Sequence, residues 1–341
     1  MSKKIVTLGE IMLRLSPAGY NRFIQANTFD INFGGGESNV AISLANFGED
    51  AYFVSKLPTN EIGQAALNEL RKYGVKTDYI SRGGNRLGIY FLEKGASQRP
   101  SKVIYDRAYS SFAESNSSEY DWDSIFENAE WFHFTGITPA LSENAKKICL
   151  QACTKAKERG ITISCDLNYR KKLWTKEQAK ETMSGLCKYV DVCIANEADA
   201  DDVFGIHSNN TNIESGILNR NGYENVAREL ADTFNFSFVA ITLRTSFSAN
   251  DNRWNALLYD GTDYYYGKDY DVHIVDRVGG GDSFCGGLIY SLVNGHSTQN
   301  AIDFAVSASC LKHSIEGDFN HVTVDEVSVL QSGDGSGRVQ R

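Results

Sequence analysis

Three consecutive glycines, Gly279, Gly280 and Gly281, stand between Asp276 and Asp282 in the stretch DRVGGGDSFCGGLIYSL. Behind them Phe284, Cys285, Leu288, Ile289 and Leu292 recur at spacings of one, three and four. That is the rhythm of a helix with one buried face. The glycines therefore sit where a loop enters a helix. Free N–H groups cluster at such a point, and the helix dipole favours negative charge, so it can hold a phosphate. Asp282 would repel that phosphate, so it needs a reason to be there. It could cap the helix, a position aspartate favours. It could instead take the proton of an attacking hydroxyl, contributing roughly 10²–10⁴ in rate. The two roles need not exclude each other.

A second glycine cluster, Gly34, Gly35 and Gly36, opens the segment NFGGGESNVAISLANFG ahead of a helix carrying Asn39 and Ala41. Alone it reads as a turn. No Walker loop G-x-x-x-x-G-K-[ST] occurs, and the early glycines lack the G-x-G-x-x-G spacing of a dinucleotide site. A nucleotide-binding dehydrogenase is thereby disfavoured.

The elements that must position these loops alternate between strand and helix. IVTLGEIML, AYFVSKL, WFHFTG, ITISCDLN, VDVCIANE and FSFVAITLR read as strands. ESNVAISLANFG, NEIGQAALNELRKYG, SENAKKICLQACTKAKERG and GYENVARELADTF read as helices. This order implies one α/β domain with a mostly parallel sheet covered by helices. Ligands of such sheets sit at the carboxyl ends of strands. Asp166, Asn168, Arg170, Asn196, Glu197, Thr242 and Arg244 lie at or just past such ends. Residues 14–33 and 86–110 break the pattern, reading as short antiparallel strands rich in aromatics and arginine. In KVIYDR the alternation points Tyr105 and Arg107 to the same face. A small inserted sheet of this kind would cover one side of a cleft. Residues 205–222 read as an exposed insertion, and 332–341 as a mobile tail.

The 341-residue chain has an ordinary globular composition, 42% hydrophobic and 23% charged, and its apolar runs fall far short of the ~20 residues of a membrane span. Glu10 and Arg14 interrupt the apolar start, which argues against a signal peptide. A net charge of −9 argues against nonspecific nucleic-acid binding. Seven cysteines without a C-x-x-C pair fit buried thiols in a reducing cytoplasm. The histidines show no zinc-ligand spacing.

Together the two glycine clusters carry a resemblance to the ribokinase-like (PfkB) family of carbohydrate kinases, covering about residues 3–327. DRVGGGDSFCGG resembles the family's D-x-x-G-A-G-D signature, with Gly280 in place of alanine. GGGESNVA resembles its first, glycine-rich signature. VSKLPTNEIG resembles its V-G-x-x-G-x-D-x-x-G segment, with Pro58 and Asn60 as departures, and NEAD its N-x-x-E, with Asp199 for the glutamate. Within the family the chain is most similar to the 2-keto-3-deoxygluconate kinases, through GIYFLEKG, VIYDRAYS, DLNYRKKLW and IEGDFN.

The resemblance implies a ribokinase-like fold with a small β-sheet lid, and lid pairing into a dimer or higher oligomer. It implies ATP and Mg²⁺ as cofactors and leaves a monovalent cation open. It implies Gly35, Tyr90, Tyr105, Arg107, Arg170, Asp282 and Asp318 around a sugar acid, and Asp199 near the metal through water. Asp282 would be the general base, and the N–H groups of Gly279 to Asp282 the anion hole. Asn168, Arg170, Thr242, Gly279 and Gly281 would face the nucleotide, Thr242 being equally readable as an ordinary strand end. A guanidinium offers a carboxylate paired donors, so Arg107 and Arg170 favour an acid substrate over a neutral sugar. The bland readings are a surface strand residue for Arg107, a solvated loop for Arg170, and lid-core aromatics for Tyr90 and Tyr105. A kinase of fructose, ribose, a deoxygluconate isomer or a nucleoside, and a non-catalytic sugar-acid sensor, are the alternatives; Asp282 speaks against the last.

Overall fold

The structure, a computed structural model, describes residues 2–196, 198–207 and 220–333. Glu197, most of the expected insertion (208–219) and most of the expected tail (334–341) lie outside the described residues.

The chain begins with β1 (Lys4–Leu8), β2 (Met12–Ser16), β3 (Asp30–Gly34), α1 (Gly36–Asn46), β4 (Asp50–Leu57), α2 (Glu61–Lys72) and β5 (Ile80–Arg82). Then come β6 (Gly88–Glu93), β7 (Lys102–Asp106), α3 (Trp122–Ile125), β8 (Trp131–Thr135), α4 (Ile137–Ala140) and α5 (Glu143–Glu158). β9 (Thr162–Asp166), α6 (Lys176–Leu186), β10 (Val192–Asn196), α7 (Asp199–Phe204) and α8 (Arg220–Phe234) continue the alternation. β11 (Phe238–Ser246), β12 (Asp251–Tyr259), β13 (Tyr264–Tyr266), β14 (Tyr270–His273), α9 (Gly280–Val293), α10 (Thr298–Lys312) and α11 (Val324–Ser332) complete it.

The large sheet has the order β13-β12-β11-β10-β9-β8-β1-β4-β5, with β14 also paired to β12. From β5 to β11 every pairing is parallel. β12, β13 and β14 extend it antiparallel, an addition the strand pattern did not announce. Parallel strands need cover on both faces, and two apolar clusters supply it, one around Phe132, Ile163 and Ile241, the other around Ile5, Phe53 and Leu288. The expected stripe of α5, Ala145, Ile148, Cys149, Ala152, Cys153 and Ala156, is fully buried. Its start is capped by Ser142, whose Oγ accepts the Ala145 N–H at 3.1 Å. All seven cysteines are unpaired. Asn60, where the signature has aspartate, caps α2 by accepting the Gly63 N–H at 3.0 Å.

The apolar start is not one strand. β1 stays in the large sheet, and after the short connection 9–11 β2 enters a separate four-stranded sheet of order β3-β2-β6-β7. Its outer pairs are antiparallel, but the central pair, β2 with β6, is parallel. This corrects the fully antiparallel expectation. β1 and β5 run the same way in the large sheet, and each passes through a short connection into β2 or β6. The two strands therefore leave the body in the same direction. One face of this sheet carries a cross-strand row of Asn32, Arg14, Tyr90 and Tyr105. The other carries Leu15, Ile31, Phe91 and Ile104, because alternate residues face opposite sides.

Candidate active site

A cavity of about 620 Å³ opens between the small sheet, the carboxyl ends of β9 to β11 and the starts of α1 and α9. α9 starts as the glycines predict. Gly279 is the residue before its first turn, at φ +80°, and a Cβ there would lie 1.9 Å from the Asp318 carbonyl oxygen. Only glycine combines that dihedral with that approach. Gly279 and Gly281 line the cavity; Gly280 does not. Its missing Cβ faces the ring of His313 at 2.7 Å, and its N–H turns back to the Arg277 carbonyl at 3.4 Å. So His313 fills the space an alanine methyl would take. The first-turn N–H groups left to face the cavity are those of Gly281 and Asp282.

Asp282 is the third residue of α9, so it does not cap the helix. Its Oδ2 accepts a hydrogen bond from Asn39 Nδ2 at 2.6 Å. Burial pushes its pKa up to about 6, against the lowering effects of the Asn39 hydrogen bond and the Arg170 charge. Asn39 lies on α1, directly behind the early glycines. The two glycine clusters thus meet at one carboxylate. A Cβ on Gly35 would strike the Glu10 carbonyl at 1.9 Å, so the early cluster is a close backbone approach rather than a free turn.

Asp318 and Tyr90 line the cavity together; the Tyr90 hydroxyl donates to Asp318 Oδ1. Tyr105 lies across the strand pair from Tyr90, with ring centroids 6.0 Å apart, and is 41% exposed, so it is no core aromatic. Arg107 lies just past β7 and is not a surface residue. Its Nε donates to Glu10 Oε2 at 2.9 Å, and its side chain is 10% exposed. Glu10 Oε1 is buried without a hydrogen-bond partner. Arg170 reaches the same cavity from the body, its Nη1 donating to the Tyr169 carbonyl at 3.0 Å.

Asn168 and Thr242 line the same cavity, as do Arg277 and His313. Asn168 adopts φ +39° and donates to Asp166 Oδ2 at 3.3 Å. Thr242 Oγ1 donates to the Ala195 carbonyl at 3.4 Å. His313 has its pKa lowered to about 4 by burial, so it is neutral near pH 7. Its Nδ1 lies 2.7 Å from the Ser309 carbonyl and must donate to it, leaving Nε2 as an acceptor. Asp199 also lines the cavity, but both its oxygens hold main chain: Oδ1 accepts from Tyr169 N at 3.1 Å and Oδ2 from Asn196 N at 2.9 Å. It staples the loops after β9 and β10 together. No cluster of three acidic, histidine or cysteine ligands for a metal occurs among the described residues.

The sequence reading passed over Asn39, Glu10, Arg14 and Glu37 as site residues. Glu37, fully buried, accepts from Thr135 N and Oγ1 and from Thr138 Oγ1, and burial raises its pKa to about 7. The available signal was that Glu10 and Arg14 interrupt an apolar run. A buried charge is costly unless paired, so such an interruption marks a partner elsewhere. No helix among the described residues is long and apolar enough to cross a membrane.

Comparison with known proteins agrees with this architecture. The chain is 34% identical to a 2-dehydro-3-deoxygalactonokinase of Haloferax volcanii over 98% of both chains. It is 28% identical to a 2-dehydro-3-deoxygluconokinase of Bacillus subtilis, over 96% of this chain and 94% of that one. A crystal structure of 2-dehydro-3-deoxygluconokinase from Thermotoga maritima superposes with a TM-score of 0.94 at 51% identity, covering 97% of this chain and all of the other. The description "pfkB family carbohydrate kinase" matches residues 2–320. With this match, and with a ribokinase-like sheet whose two glycine loops meet at one buried carboxylate, the chain belongs to the PfkB family of carbohydrate kinases.

Proposed function

We propose that this kinase transfers the γ-phosphoryl group of ATP to the 6-hydroxyl of 2-keto-3-deoxygluconate. The observation that carries the reading is Asp282. It is a buried carboxylate with its pKa pushed up to about 6, in the first turn of α9, in one cavity with Arg107 and Arg170 as well as Arg244 and Arg277. Asp282 takes the hydroxyl proton as the oxygen attacks the γ-phosphorus, and the bond to the β,γ-bridging oxygen breaks to release ADP. The first-turn N–H groups of Gly281 and Asp282 stabilise charge on the transferring group, with positioning doing the remaining work.

Arg107 and Arg170 approach from the small sheet and the body and hold the sugar carboxylate. Tyr90, Tyr105, Asp318 and the main chain at Gly35 line the sugar end. Asn168, Thr242 and Gly279 line the nucleotide end. Mg²⁺ would supply charge neutralisation of the nucleotide phosphates and would draw most of its ligands from phosphate and water. Asp166 and Asp199 fit that arrangement through water, since Asp199 already holds two main-chain N–H groups and neither carboxylate belongs to a closed cage. A neutral-sugar kinase is the second reading, favoured by the pairing of Arg107 with Glu10, which neutralises that guanidinium.

The small sheet acts as a lid over the sugar. Its outer face exposes Ile31, Ile104 and Phe29, and this apolar surface supports pairing with the lid of a second copy. The deciding experiment is a coupled kinase assay with ATP and Mg²⁺, with and without potassium, against 2-keto-3-deoxygluconate, its C4 epimer, fructose and ribose. The keto-acids are expected to give the highest kcat/KM. A preference for fructose or ribose would overturn the acid assignment.

A further inference from the structure

We propose that Arg14 is a positioning residue for phosphoryl transfer, tying the loop that shapes the anion hole to the sheet that covers the sugar. The inference rests on the role given above to the start of α9. Arg14 stands on β2, in the middle of the small sheet, yet its side chain is only 1% exposed. Its Nη2 donates to Asp276 Oδ2 at 2.5 Å and its Nη1 to Asp318 Oδ2 at 2.8 Å, while Nε donates to Ser16 Oγ at 2.9 Å. Three arms of a planar fork are committed, so the guanidinium has one orientation.

Each carboxylate it holds controls something else. Asp276 Oδ1 accepts the Val278 N–H at 3.1 Å, and Oδ2 accepts the Gly317 N–H at 3.2 Å. Asp276 thus fixes the approach to Gly279 and joins it to the 317–318 turn. Those two stretches cross where Gly279 has no room for a Cβ against the Asp318 carbonyl. The place of the crossing sets where the N–H groups of Gly281 and Asp282 point. Asp318 in turn accepts from Tyr90, the residue paired with Arg14 across the sheet. One buried guanidinium therefore joins the sugar-facing row of the small sheet to the loop that faces the phosphoryl group. Buried Lys312 is the other cation beside Asp276 and Asp318; its Nζ donates to the Ile315 carbonyl at 3.1 Å. It lies on the body side, so it cannot take over the link to β2.

The test uses Asp276→Asn and Arg14→Lys in the full chain. Asparagine keeps the volume but has one acceptor oxygen, so its amide must face a donor and one arm of the link is lost. Lysine keeps the charge and loses the fork. Arg14→Ala strips two buried carboxylates of their partner and is avoided because it risks unfolding. A misplacement of the reacting groups by about 1 Å lowers the rate on the order of 100-fold. Both variants are expected to lose kcat on the order of 10–100-fold while KM for the sugar substrate changes less than about threefold. In ligand-free Asp276→Asn, amides 278–282 are expected to exchange faster than in wild type, with α5 unchanged.

Folded variants with wild-type kcat, or a kcat loss that vanishes once temperature is lowered to restore folding, would overturn the proposal. So would unchanged exchange at 278–282, a readout that needs no turnover. If wild type itself phosphorylates none of the sugars offered, the substrate reading fails, and the exchange comparison still decides the role of Arg14.

Discussion

Burial raises the pKa of Asp282 above the 3.8 of a free aspartate to about 6, so the folded protein disfavours its ionised form. That penalty is absent below about pH 4 and complete above about pH 6, because the folded state binds the proton more tightly than the unfolded chain. Asp282→Asn removes it, and the asparagine oxygen can still accept from Asn39. The variant is expected to be more stable than wild type by about 1–3 kcal/mol at pH 8 and no more stable at pH 4, read by thermal unfolding. Its kcat is expected to fall by at least ~100-fold, the loss of a general base. Wild-type kcat/KM is expected to rise with pH and bend near 6, a limb the variant lacks. A variant with near-wild-type kcat would remove Asp282 from the chemistry.

Substrate charge is tested most cleanly at Arg170. Arg170→Ala is expected to lower kcat/KM for the keto-acid on the order of 10–150-fold, and for fructose or ribose much less. Arg107→Ala would also leave Glu10 buried without its partner, so its effect is expected to spread to neutral sugars.

At the scale of elements, the start of α9 separates two glycines that look alike in sequence. A methyl on Gly279 would overlap the Asp318 carbonyl at a dihedral side chains avoid, so Gly279→Ala is expected to lose both stability and turnover. A methyl on Gly281 would meet nothing within 4 Å of the chain and would project into the cavity. Gly281→Ala is expected to unfold at or above the wild-type temperature, since alanine favours helix, yet to lose kcat/KM for ATP. Equal behaviour of the two variants in unfolding and steady-state assays would contradict this division.

For the whole molecule, the small sheet joins the body through Arg14 and Arg107 and through short connections after β1 and β5. As a lid it is expected to close on the sugar. Hydrogen exchange within 14–33 and 86–110 is expected to slow on adding the keto-acid, with α5 unchanged; unchanged exchange at saturation would count against closure. Its apolar outer face is expected to pair two copies. Light scattering is expected to give at least a dimer, and Ile31→Lys with Ile104→Lys to give a monomer. A monomeric wild type would refute lid pairing.

Much of this was legible in the chain itself. Helix α5 could be read because its buried stripe, cap and stop are local, and the α/β order because strand and helix periods differ. The start of α9 and Asp282 could be read because glycines, dipole and carboxylate are neighbours in sequence. Sheet partners were not legible in the same way. That β2 leaves the strand begun by β1 and pairs parallel with β6, with Leu13 opposite Ile89 and the partners 76 residues apart in the chain, depends on the directions in which β1 and β5 meet the small sheet.

 The register that results, Arg14 opposite Tyr90 and Tyr90 opposite Tyr105, is a property of three strands from two distant segments. Charge pairing was hidden for the same reason. Arg107 meets Glu10, and Arg14 meets Asp276 and Asp318, across separations of 97, 262 and 304 residues. No local pattern encodes such a pair, because each partner is specified only by where its own element packs. Residue types at short spacing determined which groups could do chemistry. Packing of distant elements decided which of them are buried, which are paired, and therefore which face the cavity.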